Sequence, residues 1–476
     1  MESAEERRPR RAAGLGVVAL CSSLLLNVLF LAHYSFLSPS QLLGDGGSCG
    51  LSWALQAAKE AEALAAADCS GHGKVFLDGV VGEDGRPGCE CNRCFDGPDC
   101  SIRTPICTAD ANSGDPLVLE PYWKRHAAAS AVLVPGWHRL SYATTDGLFE
   151  SVELENRIRP LHRAVGNAVV DDKRLVFGAG STQLINALSP DAAAAASPPA
   201  RVVATEPYYP NTDSDVRRPR VQMGRNHGCM DQRVTKLQRR RQVRRVRHVA
   251  EQPDALLRTA VLRGSAVTAD HAYYWPHFTH IAAPADEDVM LFTMSKPSGH
   301  AGSRLGDEKV AKRAYEYVQH SIMGASWDTQ LRMLGIVRVM LANLHGKEDI
   351  FGFGHDVMRS RWRRLSAVVS RSHRISLQRI MPQYCTYFNR VREPLPAYAW
   401  VKCEREEDDD CYEALLKARI ITRSGAGYDA SSRYMRVSLL KSDDDFEVLM
   451  ERVTDLANAD NYDDDALLLP RVPDKL

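Results

Sequence analysis

Six cysteines, Cys69, Cys89, Cys91, Cys94, Cys100 and Cys107, fall within 39 residues of a 476-residue chain. Such crowding reads as a disulfide framework or a metal site, not as the core of a protein kept in a reducing compartment. Glycines 71, 73, 79, 82, 85, 88 and 97 and the turn Asp96-Gly97-Pro98-Asp99 interleave with them, as small stapled loops require. Cys91 and Cys94 form one C-x2-C pair, but no second pair of that kind follows. Zinc is therefore disfavoured and no metal is expected. Spacing alone leaves the pairing open.

The N-terminus supplies the compartment. Arg7, Arg8, Arg10 and Arg11 precede an uncharged stretch, Ala12 to Ala32, long enough at about 1.5 Å per residue to cross roughly 30 Å of hydrocarbon. A cleaved signal peptide has an apolar core of only about 7 to 15 residues, and flanking arginines stay cytosolic. The expectation is a cytosolic tail at 1–11 and an uncleaved signal anchor at 12–33 that holds the chain in a membrane as a single pass. A secreted or vacuolar protein after signal cleavage is the alternative, and a buried helix the remaining one. Residues beyond about Ser38 would face the lumen of the secretory pathway at the endoplasmic reticulum, where disulfides form. Residues 34–68 read as a linker with an alanine-rich helix over Trp53 to Ala67, leading into the disulfide-rich module at 69–107.

The rest of the chain is ordinary in composition. With 44% hydrophobic residues and 60 basic against 60 acidic side chains, it is neither wholly disordered nor a generally cationic nucleic-acid binder. Leu175-Val176-Phe177, Gly178-Ala179-Gly180 and Ser181 to Leu188 read as strand, glycine turn and helix, an arrangement whose free N–H groups suit a phosphate. It lacks the lysine of a P-loop and the spacing of a dinucleotide turn. Val289 to Met294 reads as a buried strand ending at Ser295 and Lys296, followed by glycines and Arg304. An amine beside a phosphate cradle is what pyridoxal phosphate needs, since its aldehyde is captured by the amine while its phosphate is gripped separately. Asp270 and Tyr273, 26 and 23 residues earlier, suit the pyridine nitrogen and the phenolic oxygen of that cofactor.

Six segments taken in order carry a resemblance: Pro135 to Tyr142, Phe177 to Gln183, Pro207 to Pro210, Asp270 to His277, Ser295 to Arg304 and Ala430 to Arg436. With the cysteine module, which resembles the EGF-like module of alliinases, they look like the alliinase and tryptophan aminotransferase-related family of plants over about residues 51 to 455. The resemblance implies a fold type I pyridoxal 5'-phosphate enzyme, an α/β homodimer. Its large domain, 108–335, would be a mostly parallel sheet wrapped by helices, and 336–470 a smaller α+β domain. It implies Lys296 as the Schiff-base lysine, Asp270 at the pyridine nitrogen, Tyr273 at the phenolic oxygen and Tyr209 stacked on the ring. Ser181, Thr182, Ser295 and Arg304 would hold the phosphate, with Tyr142 arriving from the partner subunit, and Arg436 would bind the substrate carboxylate. It also implies the disulfides Cys69 to Cys89, Cys91 to Cys100, Cys94 to Cys107 and Cys403 to Cys411, with Cys21, Cys49, Cys229 and Cys385 unpaired.

The implied reaction is transamination of an L-amino acid with a keto acid, of the tryptophan to indole-3-pyruvate type used in auxin biosynthesis. A carbon–sulfur lyase acting on S-alkyl-cysteine sulfoxides uses the same residues, and a non-catalytic family member or a defective gene model is the further alternative. Three departures from the family matter. Arg217 to Ala250 carries eleven arginines, one lysine and a single acid, Asp231, and reads as out-of-frame sequence that should loop out, not as a nucleic-acid patch. Gln252 replaces the asparagine that hydrogen-bonds the cofactor oxygen. After Leu305-Gly306 the chain passes directly to Asp307-Glu308-Lys309, which reads as the loss of a core strand.

Overall fold

The computed structural model describes residues 69–75, 88–132, 140–187, 203–205, 224–226, 245–248, 267–300, 305–306 and 308–467, all within one compact unit, Ser52–Leu476. The anchor expected at 12–33 and the helix expected at 53–67 lie outside these residues. Among the described residues no helix is long and apolar enough to cross a membrane.

The module opens with an antiparallel hairpin, β1 (Gly73–Val75) on β2 (Cys89–Cys91). Disulfides join Cys69 to Cys89, Cys91 to Cys100 and Cys94 to Cys107, with Cα separations of 5.7, 5.2 and 5.4 Å. Gly73 is required where the hairpin passes the second bridge: a Cβ there would lie 2.7 Å from Cys100 Sγ and 2.8 Å from the Glu90 carbonyl oxygen. Directly after the last cysteine the chain forms β3 (Ala109–Asp110).

Helix α1 (Val152–Val165) shows how local sequence sets the larger domain. Ser151 caps it by accepting from the Leu154 amide at 3.2 Å, and Gly166 ends it with φ of 71°. Leu154, Ile158, Leu161 and Val165 recur at helical spacing and are buried, while Glu155 pairs with Arg159 at 2.6 Å. The chain continues through β4 (Arg174–Leu175), α2 (Ser181–Ala187), β5 (Val203–Thr205), β6 (Gly224–Asn226), β7 (Arg245–His248), β8 (Val267–Asp270), β9 (Val289–Leu291) and β10 (Leu305–Gly306). Strand β5 pairs with β6, and β8 pairs with both β7 and β9, all parallel; β10 pairs antiparallel with β4. These pairings make three separate sheets, β6-β5, β7-β8-β9 and β10-β4, with β5 lying beside β7 and β9 beside β10.

One expectation is corrected by these strands. The arginine-rich stretch does not simply loop out, because its residues 224–226 and 245–248 supply β6 and β7. Ladder hydrogen bonds come from the backbone, so Arg245 to His248 can match Val267 to Asp270 residue for residue whatever their side chains. Leu305 and Gly306, which precede the expected loss of a strand, pair with Leu175 and Arg174 and satisfy backbone groups of β4.

Helices α3 (Glu308–Ile322), α4 (Trp327–Asn343) and α5 (Ile350–Val369) lead to a second sheet. It contains β11 (Ile375–Leu377) and β12 (Tyr398–Cys403); after β13 (Ile420–Ile421) come β14 (Arg423–Ser424) and β15 (Tyr434–Ser438). The antiparallel order is β11-β12-β15-β14, and β13 pairs instead in parallel with β3. The Cys403–Cys411 disulfide closes the loop after β12, and Cys385 is buried and free. The last helix, α6 (Asp443–Leu467), is capped by Ser442, whose hydroxyl accepts from the Asp445 amide at 3.2 Å and donates to its carboxylate at 2.9 Å. The module rests on the first turns of α6. Asp444 accepts from Asn92 Nδ2 at 2.8 Å and binds His72 Nδ1 at 3.0 Å, and Arg103 pairs with Glu451 at 2.7 Å.

Candidate active site

In an open α/β sheet the carboxyl ends of the strands are where ligands bind. Asp270 is the last residue of β8 and 9% exposed, and its carboxylate accepts from the Ala272 amide at 3.0 Å. Lys296 follows the neighbouring strand β9, after a run, Val289 to Met294, that is buried throughout. Burial of the strand leaves the amine one direction to go. Its Nζ reaches forward to donate to the Gly114 carbonyl at 2.6 Å and lies 5.4 Å from the centroid of the Tyr273 ring.

Tyr273 is fully buried, and its hydroxyl lies 2.5 Å from that of Tyr398 on β12. Arg436, on β15 and 2% exposed, sits with Cζ 4.0 Å from the Tyr398 ring centroid and donates from Nη2 to the Asn112 carbonyl at 2.7 Å. The segment between β3 and Pro116 thus offers two carbonyls to two cations, Asn112 to Arg436 and Gly114 to Lys296. A Cβ on residue 114 would overlap Tyr398 Oη and lie 3.2 Å from Lys296 Nζ and 3.4 Å from Tyr273 Oη. Lys296, Tyr273, Tyr398 and Arg436 therefore converge on one backbone segment that only glycine fits.

The glycine turn lies after β4. Gly180 has φ of 117° and Ser181 begins α2. Behind the turn, the Phe177 amide donates to Glu150 Oε1 at 2.9 Å, and burial pushes the Glu150 carboxyl up to about 7. Ser295 is half-buried, its amide donating to Thr293 Oγ1 at 3.1 Å. Thr182 lies within α2. Tyr142 is 70% exposed, with its carbonyl accepting from Trp327 Nε1 at 3.0 Å. Tyr209, Gln252 and Arg304 lie outside the described residues.

His277, buried completely, stands against Gly354 of α5 and packs on Phe278 with ring centroids 3.9 Å apart. Desolvation, reinforced by the Arg392 charge, lowers it to about 3, so it is neutral. Among the described residues no cluster of three or more His, Cys, Asp or Glu could hold a metal. Gly114, Asn112, Glu150 and Tyr398 escaped the sequence reading. The run Asn112-Ser113-Gly114-Asp115-Pro116 carried a turn signal, whereas Tyr398 is one aromatic in an apolar strand and carried none.

Comparison with known proteins follows the same division of the chain. The family model described as Allinase matches residues 109–457, and the Alliinase EGF-like domain model matches residues 52–107. Tryptophan aminotransferase-related protein 4 of Arabidopsis thaliana is 42% identical over 90% of this chain and 94% of its own length. Alliin lyase 1 of Allium sativum is 43% identical over 86% of this chain and 87% of its own. Among solved structures, an aspartate aminotransferase of Thermus thermophilus superposes with a TM-score of 0.54 at 15% identity, covering 74% of this chain and 92% of that one. The fold is that of the fold type I aminotransferases.

Proposed function

The chain belongs to the alliinase family, whose cofactor is pyridoxal 5'-phosphate, and from that premise we propose that it transaminates an L-amino acid, converting tryptophan to indole-3-pyruvate with a keto acid as amino-group acceptor. The observation that carries the reading is the meeting of Lys296, Tyr273 and Arg436 around Gly114 and Tyr398.

The residues fit the cofactor. An amine and two phenols crowd the Cα of Gly114, where no Cβ could stand, and the buried carboxylate of Asp270 closes the neighbouring strand. In this reading Lys296 captures the aldehyde, Asp270 holds a proton on the pyridine nitrogen, and Tyr273 donates to the phenolic oxygen. Ser181, Thr182, Ser295 and Arg304 hold the phosphate, and Tyr209 and Gln252 complete the ring's surroundings. The exposure of Tyr142 supports its reaching a partner's site in a homodimer. Arg436 grips the substrate carboxylate through its planar fork of donors.

Bound there, the cofactor supplies an electron sink that lets the amino acid give up its Cα proton. Lys296 Nζ is the base that takes this proton and the acid that returns it. Were Lys296 to return the proton on the cofactor side, water would then hydrolyse the carbon–nitrogen link, the keto acid would leave and the amino group would stay with the cofactor. Expulsion of a sulfur group from Cβ before the return makes the enzyme a carbon–sulfur lyase. That second reading is favoured by the alliin lyases of Allium cepa, 44% identical to this chain.

The deciding experiment offers the full-length protein L-tryptophan with pyruvate, and separately an S-alkyl-cysteine sulfoxide. Indole-3-pyruvate from the first supports transamination; pyruvate and ammonia from the second alone replace it with lysis. Lys296→Ala should abolish both activities and the borohydride-reducible link to the cofactor. A variant that kept that link would remove Lys296 from the role. We also place the catalytic part in the secretory lumen behind the anchor at 12–33, a reading supported by the four disulfides. Protease protection of the module in sealed microsomes tests it, and digestion there would reverse the topology.

A further inference from the structure

Tyr398 lies in none of the motifs, yet it touches both halves of the site. It is 1% exposed on β12, whose register sets Tyr398 opposite Ser438 and Trp400 opposite Arg436 on β15. Residues two apart share one face of a strand, so Tyr398 and Arg436 are diagonal neighbours on the same face. That geometry puts the guanidinium 4.0 Å from the ring centroid, within the range of a cation held by an aromatic face. At its other end the Tyr398 hydroxyl lies 2.5 Å from the Tyr273 hydroxyl, with the two rings 5.4 Å apart and nearly perpendicular at 73°.

A phenol carries one proton to donate and lone pairs to accept with. If Tyr273 spends its proton on the cofactor's phenolic oxygen, then its contact with Tyr398 must run the other way, with Tyr398 donating. Such a chain fixes the direction of the Tyr273 O–H and polarises it, making it a stronger donor. We propose that Tyr398 is a positioning residue of the reaction: its hydroxyl aims Tyr273 at the cofactor's phenolic oxygen, and its ring seats Arg436 for the substrate carboxylate. The proposal rests on the site reading given above for Tyr273 and Arg436.

The two contacts separate by substitution. Tyr398→Phe removes the hydroxyl and keeps the ring; Tyr398→Leu removes both. The pH midpoint of the holoenzyme's visible absorbance reports the first contact, because a donor to the phenolic oxygen favours its ionised form. Tyr273→Phe should raise that midpoint, and Tyr398→Phe should raise it by about half a unit with KM for the amino acid unchanged. In the Tyr273→Phe background, Tyr398→Phe should add nothing, as a double-mutant cycle requires of residues acting through one another. Tyr398→Leu should add a several-fold rise in KM. A midpoint that moves with Tyr273→Phe but not with Tyr398→Phe reduces Tyr398 to core packing and overturns this inference alone. A midpoint indifferent to Tyr273→Phe overturns the site reading, and this inference with it. Since Tyr398→Phe preserves ring and volume, it decides the matter even where Tyr398→Leu does not fold.

Discussion

Adding a single methyl at residue 114 tests the packing of the site directly. Gly114 does not adopt a left-handed φ, so alanine suffers no backbone strain and any cost of Gly114→Ala is steric. The new Cβ would overlap Tyr398 Oη and stand 3.2 Å from Lys296 Nζ. Tyr398 and Tyr273 are both sealed in the core, at 1% and 0% exposed, and Tyr398 is backed by Arg436. Lys296 is only half-buried, so the least costly relief moves its amine and the Gly114 carbonyl that it binds. Overpacking of this kind costs roughly 1–3 kcal/mol, equivalent to about a five- to 150-fold loss in cofactor affinity if it falls on the loaded site. Titration of the full-length protein with pyridoxal 5'-phosphate, followed by visible absorbance, measures that affinity. Thermal unfolding without cofactor measures how much of the strain the core takes instead. Wild-type affinity together with wild-type thermal stability would show that residue 114 does not face these three groups, and the reasoning would fail.

Glu150 sets a pH dependence. Its carboxyl is raised from 4.5 to about 7 in the folded protein, so between those values the folded state holds a proton that the unfolded chain has released. The stability it contributes is complete below about pH 4.5 and is lost as pH rises to about 7, by roughly 3 kcal/mol. Glu150→Gln keeps an acceptor for the Phe177 amide and should flatten that slope in urea unfolding; an unaltered slope would remove Glu150 as its source. Arg361→Ala should cost about 2–4 kcal/mol in the same assay, because it strips donors from the Leu439 and Lys441 carbonyls, bonded at 2.8 and 2.7 Å at the entry to α6. A loss below about 0.5 kcal/mol would mean that water replaces the guanidinium. Asp444→Ala should release the module from α6 and speed hydrogen exchange in β1 and β2, whereas unchanged protection would place the docking energy elsewhere.

How far the sequence reached depended on how local each feature was. Cysteine spacing defined the module, and the strand ending at Lys296 with the Asp270 to Tyr273 segment supplied half of the candidate site, because each is written in consecutive residues. Composition misled where it stood in for backbone. Eleven arginines argued against order in Arg217 to Ala250, yet β7 lies in the sheet through ladder bonds that do not consult side chains.

By itself, then, the sequence marked out the cysteine-rich module and the buried strand that ends at Lys296, since covalent chemistry, periodicity and turn residues act over short distances, while the α/β large domain was implied by the family resemblance. Only the tertiary structure decided what the Lys296 amine faces. Lys296 meets Gly114 across 182 residues, Tyr273 meets Tyr398 across 125, and Arg436 meets Asn112 across 324. No local pattern encodes those separations. They are fixed by the pairing of β12 with β15 and of β3 with β13, which bring the segment after the module under the carboxyl ends of β8 and β9. Burial then holds each of these groups against the partners that the fold brings to it.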